Sequence, residues 1–315
     1  MSTPPSASDR HDRHDRPDRH ALTAEAADTA ARAAAAAQLR IADVEDPEPA
    51  RSASALFDRV WGRDASAGTI LAPEALLAIA HAGGQVSVGR DADGEVVAAT
   101  AALLGRDHAT GQVFLHSHVT GVLAEAGGSG AGKAMKWYQR QWALERGIEE
   151  VRWTFDPLVR RNVVLNLAVL GAGVAGYLVD RYGAMADARN RGLPTDRLEA
   201  RWQLGAPRVR QAAAGRVATP DVEALVTAGA QVALEVGEDG QPVAHTTSAA
   251  RRLVRIPADI ESLRAQDHAA AAAWAQAIRA TLRPALDAGA RVSGVTRDGW
   301  YVLADRGGVA ELAGR

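Results

Sequence analysis

The run Gly127-Gly128-Ser129-Gly130-Ala131-Gly132-Lys133 has the residue types to hold phosphate. It sits between a strand-like stretch, VFLHSHVTGV (113–122), and a helical one, AMKWYQRQWALERG (134–147). A strand that passes through closely spaced glycines into a helix aims several backbone N–H groups, and the positive end of the helix dipole, at one spot. That arrangement binds phosphate or pyrophosphate. Two histidines precede the loop, His116 and His118. At period-two spacing they share one strand face with Phe114 and Thr120, and an imidazole of ordinary pKa near 6.5 suits proton transfer.

Several folds use such a loop, and the flanking residues discriminate among them. The spacing fits an NTP-binding P-loop as far as Lys133, but the next residue is Ala134, where a Ser or Thr hydroxyl would ligate magnesium. A P-loop also follows a nearly continuous apolar strand, whereas this one carries His116, Ser117, His118 and Thr120. The dinucleotide pattern G-x-G-x-x-G fails because Lys133 stands where a third glycine is required after Gly128 and Gly130.

The elements that must position the loop can be read outward from it. Upstream, QVSVGRDADGEVVAATAALL alternates on both sides of Asp93-Gly94 and predicts a hairpin, so the neighbour of the central strand is antiparallel. Before it come a strand at QLRIADV and two helices, one spacing Leu56, Val60 and Trp61 at helical intervals and one over Pro73–His81. Downstream follow a strand at VRWTFD, a short helix at NVVLNLAVLGAG, and strands at GYLVDRYG and LEARWQL. Composition loosens to Ala, Gly and Arg around 205–220, which suggests a boundary. Beyond it QVALEV, the Asp239-Gly240 turn, LVRIP, a helix over 267–286, RVSGV and WYVLA predict a further α+β unit. The two Asp-Gly hairpins are faintly alike, which hairpin grammar explains as well as duplication does. Residues 1–38 read as a disordered tail, charged to His20 and then alanine-rich without a two-sided pattern. Its His11, His14 and His20 are better explained by a solvated tail than by a metal site.

Composition removes several function classes. Lys and Arg total 36 against 38 Asp and Glu, so no global basic field argues for nucleic acid. With no cysteine there is no thiol catalysis, disulfide or cysteine-bound metal. No apolar run is long enough to span a bilayer, and the N-terminus lacks the layout of a signal peptide, so a soluble cytoplasmic protein is expected.

In order of elements and in loop pattern, residues 113–171 resemble motif A of the GNAT acyl-CoA transferases, whose Arg/Gln-x-x-Gly-x-Gly/Ala turn holds the CoA pyrophosphate. Gly130 and Gly132 match its two small positions, and Gly127 stands where Arg or Gln is usual. WTFDPL (153–158), Asn162, Asn166 and YGAMADARNRGLPTDRL (182–198) extend the likeness to a GNAT-like subgroup usually described only as acetyltransferases by inference. The resemblance runs from about Leu39 to Leu204 and into the VRIPADI…GWYVL end. It implies an α+β, three-layer αβα fold with a mixed, mostly antiparallel sheet over 39–205, followed by a C-terminal α+β extension over 206–315.

The resemblance further implies acetyl-CoA or another short acyl-CoA as co-substrate, no metal, and a small amine-bearing acceptor, with a homodimer as one option. CoA would lie between the strand ending at Val122 and the one ending at Phe155, held by Val122, Gly127, Gly128, Ser129, Gly130, Gly132, Lys133 and Asn162. Asn162 fits helix capping equally well. His118 is the candidate base and Asp156 its rival, although Asp156-Pro157 also suits a plain strand-ending turn. The short helix lacks the tyrosine that many GNAT enzymes use as acid, which leaves Tyr177 or Tyr182. Asp187, Asn190 and Arg197 form either an acceptor loop or a self-bonded one. The functional readings are thus an N-acyltransferase, a CoA-binding or interaction module without turnover, and, third, a P-loop-like nucleotide-binding protein.

Overall fold

A computed structural model describes residues 18–63, 68–183 and 193–305. In chain order the elements are α1 (Arg19–Ala36), β1 (Arg40–Asp43), α2 (Pro47–Trp61), α3 (Pro73–His81), β2 (Gln85–Arg90), β3 (Val96–Arg106), β4 (Val113–Val122), α4 (Ala131–Glu145), β5 (Glu150–Phe155), α5 (Arg160–Val163), β6 (Gly173–Leu178) and β7 (Arg197–Gln203). They continue with α6 (Pro207–Ala213), α7 (Val222–Thr227), β8 (Gln231–Val236), β9 (Pro242–Ala244), β10 (Arg251–Arg255), α8 (Ile260–Gln266), α9 (His268–Asp287), β11 (Arg291–Val295) and β12 (Trp300–Ala304). One sheet has the order β1-β2-β3-β4-β5-β7-β6 and the other β11-β12-β10-β8-β9. In the first, β4–β5 is parallel and every other pair is antiparallel, which is the mixed, mostly antiparallel sheet expected.

Helices cover both faces of the first sheet. Leu56 and Phe57 of α2 and Leu76 of α3 pack with Val86, Val88, Ala99, Ala101 and Val119 on one face. Ala134 and Met135 of α4 pack with Ala98, Ala102 and Leu115 on the other. The small residues of β3 permit this close approach from both sides. The two hairpin turns form where Asp-Gly predicts them, with Gly94 at φ 89° and Gly240 at φ 78°, values that only glycine adopts without strain.

The expected tail over 1–38 is corrected for its second half. Asp18 caps α1 by accepting from His20 N–H, and Leu22, Ala26, Ala30 and Ala33 form a buried stripe against α4. Alanine lies on both faces of this helix, so its sequence shows little polar contrast although alanine favours helix strongly. Burying Leu22 contributes about 1.5–3 kcal/mol, and Glu25 accepts from the buried Arg140 (3.1 Å) and from Arg210 (2.8 Å). His11 and His14 lie outside the described residues, among which no cluster of metal-ligating side chains occurs. No described helix is long and apolar enough to cross a membrane.

The expected boundary at 205/206 falls between the two sheets, yet one apolar core runs across it. Trp202, Leu204 and Val209 join Leu234, Trp274 and Tyr301 in the same cluster. Polar contacts reinforce the junction: Arg279 of α9 donates twice to Asp196 (2.7 and 2.6 Å), and Tyr301 Oη donates to the Pro157 carbonyl (2.8 Å).

Candidate functional site

The parallel pair β4–β5 stays in register only at Leu115↔Val151 and His116↔Arg152. Beyond those pairs the strands diverge. The far side of β4 remains paired with β3 as far as Val122, and that of β5 with β7 over its whole length. The result is a cleft inside a sheet, with a bare strand edge along 117–122. Buried backbone groups seldom stay unpaired, so such an edge suits a ligand carrying amides of its own.

The glycine loop closes one end of this cleft. After Val122 the chain makes a 3₁₀ turn (Ala124–Ala126), and Gly127 N–H returns to the Ala124 carbonyl (2.9 Å). Gly130, at φ 89°, is the N-cap of α4. Ser129 Oγ donates to the Ala126 carbonyl (2.7 Å) and accepts from Ala131 N–H (3.3 Å). The N–H groups of Gly128, Gly130, Gly132 and Lys133 have no acceptor among the described residues. A Cβ at Gly127 would lie 2.8 Å from the Ala124 carbonyl, so the side chain usual at this position in the GNAT pattern is excluded here by the turn itself. A Cβ at Gly128 would meet nothing within 4 Å, so the outer face of the loop is open. Lys133 is half-buried in the first turn of α4, and no ion-pair partner is found for it among the described residues.

A β-bulge alters the expected alternation on β4. Ala102 opposes Ser117 and Ala101 opposes Val119, which leaves His118 opposite no residue of β3. Before the bulge, Leu115 and Ser117 face α4; after it, Val119 and Gly121 face α2, where a Cβ on Gly121 would lie 3.1 Å from Leu56. Thr120 therefore turns to the α4 side and bonds Thr100 (2.7 Å), away from the face of His116 on which alternation had put it. His116 and His118 remain neighbours, with ring centroids 6.2 Å apart. Burial lowers the pKa of both, and proximity to one another and to Arg181 and Lys136 disfavours a second positive charge on His116, so both imidazoles are neutral at pH 7.

The other predicted residues divide between open and committed side chains. Asp156 accepts from Leu158 N–H (2.9 Å) through one oxygen and from Arg264 (2.7 Å) through the other, as a strand-ending turn requires. Both of its oxygens are thus committed to structural partners. Tyr177 donates to Asp196 (2.6 Å), and burial, then this carboxylate, raise its pKa well above 10. Tyr182 is exposed, and its hydroxyl lies 2.8 Å from Thr154 Oγ1 on β5, beside the cleft. Asn162 is the third residue of α5, whose N-cap is Val159, so the capping reading is corrected; no partner for its side chain is found among the described residues. The helix continues as a π-turn over Val164–Val169, a geometry frequent near functional sites. Arg197 is buried, donates to the Asp196 carbonyl (2.8 Å) and lies 4.0 Å from Asp156. Asp187 and Asn190 lie outside the described residues.

One buried group escaped the sequence reading. Lys136 Nζ donates to Ser117 Oγ (2.8 Å) and Gln139 Oε1 (3.0 Å) and sits 4.2 Å from the centre of the Trp153 ring, touching both strands where they separate. Burial without a carboxylate partner pushes its pKa down to about 7. The spacing of Lys136, Gln139 and Ala143 on one helical stripe was the available signal.

No family model matches this chain, and no curated protein matches it. Several solved structures do resemble it. A GNAT superfamily phosphinothricin acetyltransferase from Sinorhizobium meliloti, solved with AcCoA, is 19% identical, with a TM-score of 0.44 over 53% of this chain and 89% of that one. A GNAT-family acetyltransferase from Streptococcus pneumoniae is 15% identical, with a TM-score of 0.42 over 52% and 98%. An N-acetyltransferase from Staphylococcus aureus Mu50 is 15% identical, with a TM-score of 0.42 over 53% and 98%.

Proposed function

We propose that the protein transfers a short acyl group, acetyl foremost, from acyl-CoA directly to the amine of a small acceptor. The observation that carries this reading is the cleft between β4 and β5, which ends at a loop with four unpaired N–H groups. The phosphates of CoA would take the loop donors of Gly128, Gly130, Gly132 and Lys133, and its amide-bearing arm would pair with the bare edge of β4 up to Val122. Asn162 has donor and acceptor capacity for the same amides.

Amines with pKa values of about 8–10 are mostly protonated at neutral pH, so the acceptor must first lose a proton. His118 takes that role: it is neutral, projects from the bulge and keeps an exposed edge. The freed amine attacks the thioester carbon, the C–N bond forms and the C–S bond breaks. The leaving thiolate takes a proton from Tyr182, which unlike Tyr177 is not tied to a carboxylate, and the second proton that the nitrogen loses in becoming an amide restores the tyrosine hydroxyl. Asp156 and Arg197 hold structure in this scheme.

A second reading, a CoA-binding module without turnover, is favoured by Gly127 and by the absence of tyrosine from the short helix. Calorimetry and thermal shift on the full chain with acetyl-CoA, succinyl-CoA, CoA and ATP–magnesium test the binding site. A thiol-release assay across a panel of small amines then tests turnover. Acyl-CoA binding with thiol release supports the enzyme, and binding without release across the panel supports the module. ATP binding, or no binding, overturns both.

A further inference from the structure

A second cavity, of about 320 Å³, opens on the α4 side of the first sheet. Its lining includes apolar side chains, the edge of the buried Trp137 one helical turn beyond Lys133 on α4, Ala168 on the π-turn and Val217 after α6. Its lining carries three cations, Arg32 from α1, Lys133 from the glycine loop's helix and Arg297 from the turn between β11 and β12. No Asp or Glu lines it. Arg32 donates to Thr29 Oγ1 (3.2 Å), and no carboxylate partner of Arg32, Lys133 or Arg297 is found among the described residues.

Three cations without counter-ions around a concave lining of small apolar side chains call for an anion with an apolar part. Lys133 belongs to both the loop and this cavity, so a ligand whose phosphates lie on the loop reaches the cavity within one turn of α4. Two of the cations come from segments outside residues 39–205, which gives α1 and the C-terminal region a place in ligand binding.

The geometry points to this cavity as the seat of a phosphorylated adenosine, gripped by Arg32 and Arg297 across the α4 helix. The assignment rests on the acyl-CoA reading in naming the nucleotide end of that co-substrate as the first source of the adenosine; a free adenine nucleotide is the other source with the same chemistry.

The test is calorimetry on the full chain and on the double variant Arg32→Gln/Arg297→Gln, with acetyl-CoA, S-acetyl-4′-phosphopantetheine and 3′,5′-ADP as probes. Both positions are exposed, and neither belongs to the proposed reaction machinery. The expected result is a loss of about 30- to 100-fold in acetyl-CoA affinity, on the order of one good charge-assisted contact per arginine. S-acetyl-4′-phosphopantetheine, which lacks the nucleotide, binds both proteins equally, and 3′,5′-ADP binds the wild type alone and competes with acetyl-CoA. If 3′,5′-ADP binds the wild type and not the variant yet does not compete with acetyl-CoA, the cavity serves a free nucleotide. Equal binding of acetyl-CoA and 3′,5′-ADP to both proteins overturns the assignment. Failure of the acyl-CoA reading shows separately, as loss of S-acetyl-4′-phosphopantetheine binding by the wild type.

Discussion

Each sheet contains one parallel strand pair, and the two pairs behave oppositely. In the second sheet β8 and β10 hold register at three positions along five-residue β10, from Arg252↔Gln231 to Val254↔Leu234, through an intervening bulge. In the first, β4 and β5 part after two positions, although β4 has ten residues and β5 six. The buried contacts explain the difference. Behind β8 and β10 the core is apolar, with Leu234, Val254 and Trp274 closing on one another. Behind the separation of β4 and β5 stands Lys136, whose ammonium bonds Ser117 of one strand and lies on the Trp153 ring of the other. A closed pair satisfies itself, whereas an open one exposes backbone groups that need a partner. The proposed acyl-CoA site rests on that contrast, an open parallel pair in the first sheet against a closed one in the second.

The contrast can be broken most severely at the loop. Gly130→Asp puts a carboxylate among the phosphate donors and a side chain at φ 89°. Acetyl-CoA affinity should fall roughly 1000-fold, about 4 kcal/mol, with the circular dichroism spectrum unchanged. Unaltered affinity in calorimetry would remove the loop from the site.

Asp196→Asn strikes the junction between the two sheets instead, leaving Arg279 without its carboxylate. We expect about 3 kcal/mol of lost stability in urea titrations, with acyl-CoA affinity of the folded protein intact. Burial works against this carboxylate, but the Arg279 guanidinium holds its pKa below 3.8. Its stabilisation is therefore complete above pH 3.8 and is lost as pH falls through the lower folded value. The variant should lack that acid-side decline, and a matching decline would show that the pair contributes nothing.

His118→Ala should lower turnover about 100-fold, roughly 2.7 kcal/mol. The wild-type rate should fall on the acid side below pH 6.5, since the base must be unprotonated and its pKa is lowered. A variant that keeps this acid limb would transfer the role elsewhere.

The smallest effect is expected at the wedge. Lys136 takes up its proton less readily when folded, so the folded protein should gain stability as pH rises from about 7 towards 10.5. Lys136→Met should flatten that rise and increase Tm at pH 6.5 by roughly 2–4 °C per kcal/mol of relieved burial. If the open pair depends on the amine, the same variant weakens acetyl-CoA binding. Unchanged binding would mean that Trp153 alone keeps the strands apart.

Much of the fold was legible because its signals are local. Asp93-Gly94 and Asp239-Gly240 set hairpins, the spacing of Leu56, Val60 and Trp61 marks α2, Pro73 opens α3, and alternation marks β2 and β3. The α1 helix was not legible, because alanine on every face gives no hydropathy contrast and its docking depends on small residues meeting α4. Asp156 and Tyr177 looked like candidate chemistry because their partners, Arg264 and Asp196, are set beside them only by folding, and Arg197 because only folding brings it to Asp156.

By itself the sequence determined the strand–glycine loop–helix succession, the absence of thiol chemistry and the antiparallel neighbour of the central strand, each a property of adjacent residues. The tertiary structure alone decided where the β4–β5 pairing stops, which way Thr120 turns after the bulge at His118, and that Arg32 and Arg297 meet Lys133 across one cavity. These depend on which groups find partners across long chain separations, and a polar group's role follows from whether such a partner is there.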